Sequence, residues 1–147
     1  VRSEMCIRDR PAEAILREIG EPRLRGMLRL AGYIPNSDLP AIYNRASAFL
    51  YTSLRESFGI PQLEAMACGT PVVTSATSAI PEVAGEGAIL VDPTDPKAIA
   101  DALLRLETDA AFRARQVAYG LERVKRFSWE KTARHLLALY ESLGKTN

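Results

Sequence analysis

The chain has 147 residues, enough for about one domain with a sizeable core. Its apolar share of 47%, charged share of 25% and formal net charge of +1 are those of an ordinary globular protein, with no electrostatic footprint for nucleic acid or a membrane surface. The two cysteines, Cys6 and Cys68, make neither a disulfide framework nor a metal spacing, and no apolar run approaches the ~20 residues of a membrane span.

In chain order, residues 1–10 (VRSEMCIRDR) are polar and aperiodic and lack the apolar stretch of a signal peptide. They receive no element and read as a foreign leader ahead of one incomplete domain, residues 11–147. After Pro11, AEAILREIG predicts a short helix with Ile15, Leu16 and Ile19 on one face and Gly20 as its stop. Met27 to Ile34 predicts a strand ending in the Gly32-Tyr33 turn. Ser37 or Asp38 then caps a short helix through Arg45. Ala48 to Ser53 is an apolar run of the kind buried on both faces of a parallel sheet.

The loop Leu54–Phe58 leads into a helix from about Ile60 to Cys68, with Gly59 and Pro61 bracketing its start and Gly69 ending it. Thr70 to Thr74 is the next strand, SATSAIPEVAG a loop with one helical turn near Ile80–Val83, and Ala88 to Val91 a fourth strand. Asp95-Pro96 opens a helix whose stripe is Ala98, Ile99, Ala102, Leu103 and Leu106. Another helix covers about Asp109 to Val124. The last opens near Ser128, with Ala133, Leu136, Leu137, Tyr140 and Leu143 on one side.

Short apolar strands alternating with helices predict an α/β fold, a Rossmann-like doubly wound parallel sheet with helices on both faces. Four strands are legible where such a domain usually has about six. The absent ones would precede residue 11.

The chemistry concentrates in ESFGIPQLEAMACGTPVV, Glu56 to Val73. Glu64, eight residues after Glu56, is the only charged residue between Glu56 and Glu82. A lone carboxylate in so apolar a helix is costly to bury unless something satisfies it. Glu56 follows a strand and so sits at the carboxyl edge of the sheet, where open α/β sheets bind ligands. The helix start offers free N–H groups near Gly59, Ile60 and Gln62 and the positive end of its dipole to a phosphate. Gly59 lets the backbone approach a ligand closely. One carboxylate can accept from a ribose diol and the other from sugar hydroxyls. A nucleotide sugar fits this set.

These residues carry a resemblance. LAGYIPNSDLPAIYNRASAFLYTS, the Glu56 and Glu64 pair within ESFGIPQLEAMACGTPVV, IPEVAGEGAILVDPTDPKAIADAL and the terminal FSWE together resemble the C-terminal half of a GT-B glycosyltransferase of the retaining family 4 type. The resemblance spans about nine tenths of the chain. It implies that Glu56 contacts donor-sugar hydroxyls beside the reacting carbon and is the catalytic carboxylate here. Ser57 and the amides of Phe58, Gly59 and Ile60 would hold sugar and diphosphate, Glu64 the ribose, and Tyr33-Ile34 the nucleobase.

The same resemblance places the diphosphate-gripping Arg and Lys, and the acceptor-binding domain with its catalytic residue, upstream of what is present. This polypeptide alone should therefore not turn over substrate. It further implies a nucleotide-sugar donor, a sugar or lipid-linked acceptor held by the missing domain, and a cytoplasmic site peripheral to the inner membrane face through that domain. The last helix would cross toward it, leaving an exposed apolar patch. No cofactor is expected. No DxD pair occurs, since Asp92 and Asp95 serve turns and caps, which argues against a metal-dependent transfer site.

Blander roles stand beside these: Glu56 as a solvated loop residue, Glu64 in a structural ion pair with Arg55 or another basic residue, His135 as a surface or structural residue, Phe127 and Trp129 as packing anchors. Two other functions share the scaffold, a GT-B nucleotide-sugar epimerase and a non-catalytic nucleotide-sugar-binding module.

Overall fold

The computed structural model describes residues 3–5, 22 and 26–144, in two compact units, Val1–Leu39 and Pro40–Asn147. In the first unit β1 (Ser3–Met5) pairs in parallel with β2 (Leu28–Leu30), Ser3 opposite Leu28. A strand thus lies where the sequence assigns no element. Three-residue strands are held by main-chain ladder bonds, and Ser-Glu-Met carries none of the apolar alternation that marks a strand in sequence. The predicted strand Met27–Ile34 shortens to Leu28–Leu30 between Gly26 and Gly32, both at positive φ. The helix expected over 12–20 lies outside the described residues.

From Leu39 on, the elements are α1 (Leu39–Arg45), β3 (Phe49–Tyr51), α2 (Ile60–Ala67), β4 (Val72–Ser75), α3 (Ile80–Ala84), a 3-10 turn at Gly85–Gly87, β5 (Ala88–Val91), α4 (Pro96–Thr108), α5 (Ala110–Val124) and α6 (Trp129–Gly144). The strands form a parallel sheet in the order β3-β4-β5, with Phe49 opposite Val72, Tyr51 opposite Thr74 and Val73 opposite Ile89. Side chains alternate across a strand. Phe49, Tyr51, Val72 and Thr74 therefore share one face, and Leu50, Val73, Ile89 and Val91 the other.

The first face meets α1, whose buried Tyr43 lies edge-on to Phe49 at 5.2 Å. The second carries the core cluster Val73, Val91, Leu106 of α4 and Phe112 of α5, with Ile99, Ala102 and Leu103 packed on it. That is the stripe the sequence predicts for α4. The arrangement is the expected α/β one, parallel strands with helices on both faces. One expectation shifts. The strand buried throughout is β4, whereas β3 is an edge strand of the described sheet and leaves Leu50 43% exposed.

Helix ends follow their local chemistry. Asp95 accepts from the amides of Lys97 and Ala98, Asp109 from Phe112, and Ser128 from Lys131. Arg123 of α5 donates to the carbonyls of Glu82 and Val83, satisfying the last turn of α3.

Candidate functional site

β3 and β4 both end at the carboxyl edge of the sheet, and the chain between Tyr51 and α2 crosses that edge. Four hydroxyls from β4 and the segment after it bond to main-chain carbonyls of this crossing. Thr74 Oγ1 donates to Tyr51 O at 2.9 Å, Ser75 Oγ to Ser53 O at 2.6 Å, Thr77 Oγ1 to Leu54 O at 3.4 Å and Ser78 Oγ to Glu56 O at 2.7 Å. Ser78 Oγ also accepts from the Glu56 amide at 3.2 Å, so both main-chain groups of Glu56 meet one hydroxyl. Ser78 holds φ at +61°, an uncommon value for a residue with a Cβ.

Glu56 is half-buried. Its Oε1 accepts from the Tyr51 phenol at 2.5 Å, a short charge-assisted bond. Burial first, and then this bond, raise the Tyr51 phenol well above its ordinary pKa of 10.0. The bland reading of Glu56 as merely solvated does not hold.

Glu64 lies on α2 and is exposed. Its Oε2 accepts from the Tyr43 phenol at 3.4 Å. Among the described residues no ion pair joins it to Arg55.

Gly59 is the N-cap of α2 at φ 83°, and Pro61 sits in the first turn. A Cβ at Gly59 would lie 2.9 Å from Nε2 of the buried Gln62, so this glycine is demanded by conformation and packing. It is itself buried, which corrects the expectation of an open approach for a ligand at its Cα. The expected free amide at Gln62 is also corrected: it donates to Gly59 O at 3.3 Å, closing the first turn. Among the described residues the amides of Phe58, Gly59 and Ile60 make no hydrogen bond within the chain. Those three form the helix start, where unsatisfied N–H groups favour an anion.

Ser57, Phe58 and Ile60 are exposed, and the Phe58 ring meets Phe127 edge-on at 5.7 Å. Phe127 is thus an anchor beside the crossing, while Trp129 is 80% exposed. Tyr33 (78% exposed) and the half-buried Ile34 belong to the first unit. Among the described residues no group of three or more His, Cys, Asp and Glu could hold a metal ion, and no helix is long and apolar enough to cross a membrane.

Sequence reasoning missed the supports: Tyr51, Tyr43, Ser78 and the hydroxyls before it. The one available signal was the density of Ser and Thr in TSATS, which straddles the end of a strand.

Residues 13–123 match the family described as Glycosyl transferases group 1. The chain is 42% identical over 118 residues to O-antigen chain mannosyltransferase B of Escherichia coli, covering 80% of this chain and 31% of that protein. It is 41% identical over 111 residues to D-inositol 3-phosphate glycosyltransferase of Corynebacterium urealyticum, covering 74% of this chain and 26% of that protein. The structure of sucrose-phosphate synthase from Thermosynechococcus elongatus superposes with a TM-score of 0.82 at 33% identity, over 92% of this chain and 35% of the synthase. The chain spans about a third or less of the length of these proteins.

Proposed function

Since the chain belongs to the group 1 glycosyl transferases, we propose that it forms the nucleotide-sugar-binding half of a retaining, family 4 type hexosyltransferase, whose acceptor is held by a domain outside these 147 residues. The observation that carries the reading is the run of open amides at Phe58, Gly59 and Ile60, flanked in sequence by two carboxylates that each take a phenol hydrogen bond. Relatives named as a mannosyltransferase and an inositol-phosphate glycosyltransferase support transfer of a hexosyl unit.

In this reading Glu56 accepts from the donor sugar's hydroxyls beside the anomeric carbon, and Glu64 accepts from the ribose diol. Ser57 and the amides of Phe58 to Ile60 take the sugar and the diphosphate. Tyr33 and Ile34 approach the base. As the bond from the anomeric carbon to the β-phosphate oxygen breaks, positive charge develops on the sugar ring and negative charge on the departing nucleoside diphosphate. Fixed N–H groups and the positive end of α2 oppose that negative charge at no reorganisation cost.

The test is donor binding and transfer by the full-length polypeptide carrying Glu64→Ala or Glu56→Gln. Loss of one hydrogen-bond acceptor of this charge costs about 1.5–3 kcal/mol, so the affinity for GDP-mannose or UDP-glucose is expected to fall roughly tenfold to hundredfold. Unchanged affinity in both variants would overturn the assignment of the carboxylates. An epimerised sugar nucleotide formed without acceptor would point to an epimerase instead. Donor binding without transfer to any acceptor would leave a binding module.

A further inference from the structure

The two carboxylates of the motif are separated by seven residues in sequence, yet they are served by one row of aromatic rings. Tyr43 lies edge-on to Phe49 at 5.2 Å and 84°, and Phe49 stacks on Tyr51 at 5.9 Å and 17°. The outer rings each carry a hydroxyl. That of Tyr51 donates to Glu56 at 2.5 Å and that of Tyr43 to Glu64 at 3.4 Å. Three elements meet in the row, α1 through Tyr43, β3 through Phe49 and Tyr51, and the start of α2 through its N-cap Gly59, where an added Cβ would lie 3.5 Å from the Tyr51 ring. A phenol has two side-chain torsions and a rigid ring, so once the rings are packed the hydroxyl positions are set.

We infer that Tyr51 and Tyr43 are positioning residues, each aiming one carboxylate of the pair at a different part of the donor. The inference rests on the roles proposed above for Glu56 and Glu64. Glu56 stands on the crossing, where three side-chain torsions would otherwise let its carboxylate swing. Ser78 fixes its main chain, and Tyr51 is the group that fixes its carboxylate. Glu64 is exposed and its bond longer, so Tyr43 restrains it less.

The consequence is a division of effect that damage to the packing would not produce. Tyr51→Phe and Tyr43→Phe keep the ring stack and remove one hydroxyl each. In the full-length polypeptide, GDP-mannose is compared with GDP, and UDP-glucose with UDP, by calorimetric titration. Tyr51→Phe is expected to weaken the nucleotide sugar about tenfold and the free nucleotide hardly at all. Tyr43→Phe is expected to weaken sugar nucleotide and free nucleotide alike, by about threefold. Equal losses for both ligands in Tyr51→Phe, or no loss in either variant, would overturn the proposal.

Glu56→Gln and Glu64→Gln, measured in parallel, keep the two ideas apart. If they weaken binding and the tyrosine variants do not, the positioning role falls and the donor reading stands. If the glutamate variants bind normally, the donor reading falls first. A measurement on this chain needs no nucleotide: alkaline absorbance titration of its five tyrosines. Tyr51→Phe should remove a phenol that ionises well above its ordinary pKa of 10.0, and Glu56→Gln should lower that phenol while leaving the rise that burial causes. An unchanged titration in Glu56→Gln would show that the Tyr51 contact does not hold the carboxylate.

Discussion

Ser78 shows how a single position supports the site through the main chain of another residue. Its hydroxyl joins the β4–α3 connection to the main chain of Glu56, 22 residues earlier, from both the donor and the acceptor side. It does so from a φ of +61°, which costs a residue with a Cβ about 1 kcal/mol and costs glycine nothing. The two contributions separate by substitution. Ser78→Ala keeps the strain and loses both bonds, while Ser78→Gly loses the bonds and releases the strain. Chemical denaturation should therefore find Ser78→Ala the less stable of the two by about 0.5–1 kcal/mol. The reverse order would mean that the conformation is held without strain.

At the scale of elements, what could be read from the sequence was whatever local chemistry dictates. Asp95 before Pro96 signals a cap, and it does accept from Lys97 and Ala98. Asp95→Ala should destabilise α4 by about 1 kcal/mol in thermal unfolding, and Asp109→Ala should do the same for α5 through Phe112. A loss well under that in both would mean that solvent replaces the caps. The apolar stripe of α4 and the parallel alternation of strands were legible for the same reason: period and composition are properties of neighbouring residues.

Two kinds of element were not. β1 is joined to β2 by main-chain pairing, which leaves no mark on side-chain pattern. The supports of Glu56 and Glu64 come from Tyr51, Tyr43 and Ser78, on other elements, and only folding brings them together. The motif itself was visible, since its glycine, proline and carboxylates are set by a helix start. Its fine structure was not: α2 closes its first turn through the Gln62 amide, withdrawing one donor that an ideal helix start would leave open.

For the whole molecule the informative feature is α6. It is amphipathic in sequence, yet among its described residues none is buried: Trp129 is 80% exposed and Tyr140 67%, with Leu136, Leu137 and Leu143 also open to solvent. Most helical stability in proteins comes from tertiary packing of an apolar face, and every described residue of this face is exposed. The donor-half reading accounts for that economically, because the helix would cover its face on the domain that holds the acceptor. Ending the chain after Ser128 should then change the unfolding free energy of what remains by no more than about 0.5 kcal/mol, as for exposed positions generally. Loss of several kcal/mol on this truncation would show that α6 is an integral part of the unit. Trp129 is the chain's single tryptophan and reports on the same question. Its emission should be that of a solvent-exposed indole in this chain and, if the donor-half reading holds, shift to the blue in the full-length polypeptide. An exposed indole in both would leave α6 without its proposed partner, and with it the expectation that this helix binds the two halves of the enzyme together.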